Sequence, residues 1–295
     1  MLSAVRTDVS PDNRELVEHG TKAFPVGFYH DDLIKESVPW HWHEELEAAL
    51  VTEGQSLVTI GNEAFHIKEG EGFFVNSGIL HACAAEDSAS CRFHSLVFSS
   101  RLVGSGPESV YYQKYVLPVL RCKGLAGLHL IPSGWQKDAL GSIEEAWESA
   151  VAETEDFELK VRDELSKFLA LLSRHLPDNS LKSPWASKDE ERIKKMLQFI
   201  GSEYARDIRA EDIAGAAFVS ESEALRCFRK TIGKTPIQFL KEYRLDKASE
   251  LLLSSSSSVS DIAYSTGFQD VSYFIKSFKE RKGSTPKAFR EKGGR

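Results

Sequence analysis

The chain has no apolar run approaching the roughly 18 residues that a membrane span requires. Its opening, MLSAVRTDVSPDNREL, carries neither a basic n-region nor an apolar h-region, so neither membrane insertion nor secretion is expected. Cysteine is sparse too. The four cysteines, at 83, 91, 122 and 227, form no C-x-x-C pair, which argues against a disulfide scaffold or zinc ribbon and fits a reducing cytoplasm. What remains is the composition of a globular protein, 41% hydrophobic over 295 residues. That length exceeds one domain of about 100 to 200 residues, so two domains and a connector are expected.

Charge is unevenly spread. Residues 188–295 hold 21 Lys+Arg against 16 Asp+Glu, whereas residues 1–187 hold 16 against 28, so an acidic front of −12 precedes a basic back of +5. Only the back is suited to a polyanion.

From about residue 24 to 100 the pattern is β-like. Segments such as SLVTI, EAFHI, GFFVN and RFHSLVFS are rich in β-branched and aromatic residues, with turn signals between them. Short strands at this spacing predict a sandwich or barrel. Residues 137–176 change period. Ile143, Ala146, Trp147, Ala150 and Val151 share one helical face, as do Val161, Leu165, Phe168, Leu169, Leu172 and Leu176, predicting two helices broken near Thr154–Asp156. Their apolar stripes serve either to cover the barrel or to form a dimer contact. PDNSLKSPWASKDEE, residues 177–191, then reads as a linker and a capped helix start.

The final third repeats itself. Ile213-Ala214 recurs as Ile262-Ala263, Phe228-Arg229 as Phe278-Lys279, and Gly233-Lys-Thr-Pro236 as Gly283-Ser-Thr-Pro286. The offset is 49 residues for the first pair and 50 for the others, which marks a duplicated module with one inserted residue. Each copy has a short helix with a small residue, a tight turn and a second helix. Gly267 can take the positive φ that a helix-turn-helix corner needs, and Ser258, Thr235 and Thr285 stand at N-cap positions. In the second helix of copy one, Ala224, Cys227 and Phe228 fall inward, leaving Ser222, Leu225, Arg226, Arg229 and Lys230 outward. In copy two, Phe274 and Phe278 fall inward while Val271, Ser272, Ile275, Lys276 and Lys279 face out. Basic residues and small hydrogen-bonding residues on a free helix face suit a major groove.

Residues 193–291 resemble the DNA-binding domain of the AraC/XylS transcription regulators, most closely over DIAYSTGFQDVSYFIKSFKERKGSTPKAFR, residues 261–290. The resemblance implies two helix-turn-helix units joined by one helix, about Ile237 to Leu253, entering adjacent major-groove segments of double-stranded promoter DNA. One departure is Phe218, at a turn position where a small residue is common.

In the acidic front, HWHEELEAALVTEG, residues 41–54, places His41, His43 and Glu47 with one strand parity. Downstream, Gly70 is followed by Asn76-x-Gly78-x-x-His81. These stretches resemble the two cupin motifs, with Asn76 where proline is usual. The resemblance implies a small β-barrel in which His41, His43, Glu47 and His81 hold one divalent transition metal, Zn, Fe, Ni or Mn; the alternative is that the same four residues line a ligand pocket without metal. His66 and His94, on neighbouring strand-like segments, are candidates for the same lumen.

The expected architecture is α+β and multidomain: a cupin-like sensor over 1–130, a helical connector and linker over 131–187 that could form a dimer, and an all-α double helix-turn-helix over 188–295. The expected function is a cytoplasmic, sequence-specific DNA-binding transcription regulator, not an enzyme, responding to a small-molecule effector. Family resemblance adds activation, a homodimer and RNA polymerase as a partner. The competing reading is a cupin metalloenzyme, a dioxygenase or isomerase, with a helical appendage; the duplicated groove-reading helix favours the regulator.

Overall fold

The computed structural model describes residues 2–3, 9–11, 13–35, 37–86, 90–122, 124–177 and 188–293. The expected linker falls mostly on 178–187, outside them. The chain divides into two compact units, one of residues 1–9 and 13–188, the other of residues 10–12 and 189–295.

The first unit begins with eight strands: β1 (Val26–Asp32), β2 (Val38–His41), β3 (Leu46–Ile60), β4 (Glu63–Lys68), β5 (Gly72–Val75), β6 (His81–Ala85), β7 (Cys91–Phe98) and, after short helical turns, β8 (Gly127–Leu130). Every strand pairing is antiparallel, in the order β1-β7-β3-β5-β8, with β4 and β6 also on β3 and β2 on β6. β3 is long enough to serve both layers. Its first half pairs with β5 and β7, its second with β4 and β6. At the change of partners Gly54 has φ +76°, and a Cβ there would collide with the Ser90 carbonyl.

Strand alternation separates two cores. Ala49, Val51, Val58, Ile67, Phe73, Val75 and Phe93 fill the lumen of this cupin-like barrel. Leu46, Ala48, Phe74, Leu96 and Phe98 face outward, against the helices. Those helices include α1 (Arg101–Gly104), a π-helical turn at Tyr112–Val116, α2 (Leu117–Arg121), α3 (Trp135–Ala152) and α4 (Phe157–Arg174). The α3–α4 break falls where predicted, with Glu153 and Asp156 both at positive φ. On α4, Val161, Leu165, Phe168, Leu169 and Leu172 are all buried against the outer sheet face. At about 1.5–3 kcal/mol per buried apolar side chain, this stripe contributes on the order of 10 kcal/mol at most. The apolar stripe is thus used within the chain. On α3, Ile143, Ala146 and Ala150 are buried likewise, but Val151, predicted to share their face, is 41% exposed.

The second unit is helical: α5 (Lys188–Glu203), α6 (Ala210–Ala216), α7 (Glu221–Thr231), α8 (Pro236–Ser254), α9 (Val259–Ser265), α10 (Val271–Lys282) and α11 (Pro286–Gly293). α8 is the joining helix. Thr235 caps it by accepting from Gln238 N, with Pro236 at its first turn. Leu245, Ala248 and Leu252 of α8 pack with Ile262, Ala263, Phe274 and Phe278 of the second module, while Phe239 meets Phe228 of the first at 5.9 Å between ring centres.

Candidate functional site

In the barrel, His41 ends β2 and stands opposite His81, the first residue of β6, in the antiparallel register. Their ring centres lie 4.1 Å apart, and His43 is 5.0 Å from His81. Glu47 enters from β3 with the parity of Ala49 and Val51, into the lumen. One ligand atom from each of His41, His43, Glu47 and His81 lies within 4.8 Å of the others, and all four residues are buried. The sequence-predicted quartet is therefore assembled.

Asn76, in place of the usual proline, has a structural task. Its side-chain amide donates to the Val119 and Leu125 carbonyls at 2.9 Å each, and its oxygen accepts from Ser77 N. Gly78, with φ +75°, then donates its N–H to the His43 carbonyl at 2.8 Å, fixing the loop that carries His43.

Hydrogen bonding sets the chemistry of the quartet. The Nδ1 atoms of His41, His43 and His81 lie 2.9, 3.2 and 2.8 Å from the carbonyls of Pro39, Glu45 and Ile79. A carbonyl only accepts, so each Nδ1 carries the hydrogen and each Nε2 presents a lone pair. Ser95 donates to Glu47 Oε1 at 3.0 Å. Glu47 Oε2 and the Nε2 atoms of His43 and His81 are buried without an aligned hydrogen bond, although His81 Nε2 is 2.9 Å from Glu47 Oε2. Converging acceptors of this kind demand a cation at their centre, metal or proton. Three nitrogens and one carboxylate oxygen form a donor set that fits a divalent transition metal.

Burial and mutual charge also shift the titration of these groups. Burial together with the charge of His81 and His43 drives His41 well below the usual histidine range. Burial alone would raise Glu47, but the close approach of the His43 and His81 imidazoles and their charge outweigh it and hold the carboxyl well down. Burial disfavours charge on His81, yet Glu47 beside it outweighs that and raises its pKa. Asp31 shares the lumen. Burial, with Glu47 and Glu15 nearby, pushes it up to about 8.

The void beside the quartet measures about 40 Å³ and is lined by Glu15, His19, Tyr29, Asp31, His41 and Glu47 among others. A larger cleft of about 860 Å³, lined by residues 14–25 and by His43, Arg101 and Arg162, borders the same Glu15 and His19. These two residues were not singled out from the sequence. Their spacing, Glu15-x-x-x-His19, was the available signal, but nothing local ties it to the barrel. Conversely, His66 and His94 do not face the lumen. His66 is 72% exposed and paired with Glu86, while His94 stacks on Trp147 of α3 with ring centres 3.4 Å apart.

In the helical unit both modules form. Ser220 caps α7 and Asp270 caps α10, each side chain accepting the N–H three residues on. The α6–α7 turn is closed by Val219 N to Ala214 O and the α9–α10 turn by Phe268 N to Ala263 O, both at matched positions. The inserted residue is therefore Gln269, just before the α10 cap. On α7, Ser222, Arg226 and Arg229 are exposed and Leu225 and Lys230 half-buried; on α10, Ser272, Lys276 and Lys279 are exposed and Val271 and Ile275 half-buried. Tyr273, 53% exposed beside them, was missed. Arg226 is not a free reading group: its guanidinium lies 3.1 and 3.3 Å from the two oxygens of Asp189 on α5 and 3.1 Å from Glu223.

Comparison with known proteins follows these two sites. A family model described as an AraC-like ligand binding domain matches residues 26–125, and one described as a helix-turn-helix domain matches residues 213–292. The chain is 30% identical over 285 residues to the HTH-type transcriptional regulator YdeC of Bacillus subtilis, covering 94% of this chain and 96% of that protein. The chain belongs to the AraC family of transcriptional regulators. Within that family, the activator RhaS of Klebsiella pneumoniae is 24% identical over 291 residues, covering 92% and 96% of the two chains. Among solved structures, fatty-acid-bound ToxT of Vibrio cholerae is similar at a TM-score of 0.45 and 17% identity, covering 90% of this chain and 94% of that one. This regulator thus joins a ligand-binding domain to a helix-turn-helix DNA-binding domain. No helix among its described residues is long and apolar enough to cross a membrane.

Proposed function

We propose that this AraC-family regulator is a cytoplasmic, homodimeric activator whose barrel holds one divalent metal at His41, His43, Glu47 and His81. Residues 1–130 act as sensor, 131–187 as connector and dimer element, and 188–295 as the DNA-binding part, with RNA polymerase as the protein partner at the promoter. The observation that carries the metal is the convergence of Nε2 lone pairs and Glu47 Oε2, all buried, within 4.8 Å of one another. A bound ion supplies the positive charge this cluster lacks and fixes its imidazoles.

Size separates ion from organic effector. The 40 Å³ void has room for roughly three waters at 10–15 Å³ each. Sites for organic ligands commonly run about 300–1,000 Å³, a range that the 860 Å³ cleft meets. An effector in that cleft touches Glu15, His19 and His43, and so reads the state of the metal cluster. It can shift the regulator only by binding two arrangements of the chain with different affinity.

On DNA, Ser222, Leu225, Arg226, Arg229 and Lys230 of α7 and Val271, Ser272, Lys276 and Lys279 of α10 meet adjacent major-groove segments, Arg being the residue type suited to guanine and Lys to phosphate. Metal analysis of purified protein tests the sensor half. One ion per chain is expected, lost on His81→Ala; substoichiometric metal in protein grown with Zn, Fe, Ni and Mn supplied would leave the quartet as a metal-free pocket lining.

A further inference from the structure

We infer that Glu15, which lies ahead of β1 and outside both metal-motif stretches, has its carboxylate held by His19 just outside the four-donor cluster and completes the coordination of the barrel ion as a fifth ligand when the ion binds; this rests on the metal reading above. Glu15 Oε2 lies 3.8 Å from His41 Nε2, and its side chain is only 8% exposed. It lines the same void as His41 and Glu47. A buried carboxylate beside Glu47 and Asp31 is costly unless a cation offsets it.

The position of Glu15 is fixed from both ends. Its backbone N–H donates to the Trp42 carbonyl at 2.9 Å, and Trp42 N–H donates to the Asn13 carbonyl at 2.9 Å, so residues 13–15 run alongside the stretch that carries His41 and His43. The Asn13 side chain adds a bond to the Trp40 carbonyl at 2.5 Å. The carboxylate itself is held by His19, whose Nε2 is 3.1 Å from Glu15 Oε2 and whose Nδ1 is 2.7 Å from the Tyr29 hydroxyl. With Tyr29 donating to Nδ1, His19 donates from Nε2 to Glu15. This carboxylate–histidine chain is the kind of outer support that orients metal ligands. The His19 ring also packs edge-on against His43 at 5.5 Å.

Charge supports the same assignment. Glu47 alone gives the donor set one negative charge, which leaves a divalent ion with a surplus in a low-dielectric site. Glu15 brings the set to two and neutralises it.

The test uses full-length protein stripped of metal and titrated with Co²⁺, whose d–d absorption is weak when five-coordinate and several-fold stronger when four-coordinate. The wild type is expected to bind one Co²⁺ with the weaker bands. Glu15→Gln is expected to bind at least tenfold less tightly and to give the stronger bands, with Glu15→Asp between them. Glu44→Gln, at the exposed glutamate paired with Arg14, is expected to bind as wild type. Strong four-coordinate bands in the wild type, or unchanged affinity and spectrum in Glu15→Gln, would overturn the role of Glu15 alone. Equal weakening by Glu44→Gln would do the same, by reducing the effect to general charge. Failure of the wild type to bind stoichiometric Co²⁺ would overturn the metal site and Glu15 with it. If Glu15→Gln does not fold, Glu15→Asp carries the test, since a five-coordinate wild-type spectrum alone is equally given by a bound water; affinity and spectrum unchanged in Glu15→Asp would then overturn the role of Glu15.

Discussion

The two helix-turn-helix modules share a scaffold and differ at the turn and on the reading face. In the second, Gly267 has φ +86°, and a Cβ there would stand 2.5 Å from the Tyr204 carbonyl and 2.8 Å from Arg244 Nε. Glycine is required twice, for conformation and for space. In the first, Phe218 occupies the matched position at φ +56° and is 90% exposed. No described residue covers the Phe218 side chain, so only the backbone strain of about 1 kcal/mol opposes a large side chain there. The reading faces differ in a second way. α7 is fastened to α5 through Asp189, which also reaches Lys230 at 3.7 Å and Cys227 Sγ at 3.6 Å. On α10, neither Lys276 nor Lys279 has an ion pair among the described residues. The α10 lysines thus stand open, whereas Arg226 and Lys230 of α7 must give up Asp189 before they can meet another anion.

Four substitutions probe this difference, taken in order of expected effect. Gly267→Phe, which copies the first module's residue into the second, should cost about 3 kcal/mol or more in chemical denaturation, since neither the backbone conformation nor the Tyr204 carbonyl can yield. A cost below about 1 kcal/mol would show that the two turns are equivalent. Arg226→Ala should relax sequence preference by roughly 1 kcal/mol in competition binding, at the low end of the 1–3 kcal/mol of a bidentate base contact, because the guanidinium first gives up Asp189. Equal weakening on all sequences would make Arg226 a phosphate contact.

Asp189→Asn should lower stability at pH 7 by about 1 kcal/mol, as suits a partly exposed ion pair. Burial of Asp189 opposes ionisation, but Arg226, Cys227 and Lys230 outweigh it and hold the pKa below the ordinary 3.8. A depressed pKa gives stability that is present above 3.8 and lost as pH falls through the folded value, so variant and wild type should converge below that point in acid titration. A gap that persists in acid would mean the pair is not what fastens α7. Phe218→Gly should change stability by only a few tenths of a kcal/mol, toward greater stability, measured by thermal melting.

Much of this was legible in the sequence. The double module, the joining helix, the α3–α4 break and the buried faces of α7 and α10 follow from periodicity, capping residues and internal repetition, all of them local signals. The quartet was legible because two short motifs bring four donors to facing strand ends. Glu15 and His19 were not, because their segment has no periodicity and reaches the lumen only by pairing its backbone with Trp42. His94 shows a different limit. Its parity with Leu96 and Phe98 could be read, but which face of β7 is the lumen depends on where α3 and α4 pack. The Asp189 contact, 37 residues from Arg226, lies outside the repeat and leaves no trace in it.

The central claim is that two tandem modules of one chain grip a single duplex side by side. Hydroxyl-radical footprinting of the full-length regulator on its mapped binding site tests this most directly. The account predicts two protected segments on one face of the DNA, about one helical turn of roughly 10 base pairs apart for each chain bound. The segment facing α10 should lose protection in Lys276→Ala/Lys279→Ala, and the segment facing α7 in Arg229→Ala. A single protected segment, or loss of both by either variant, would contradict it.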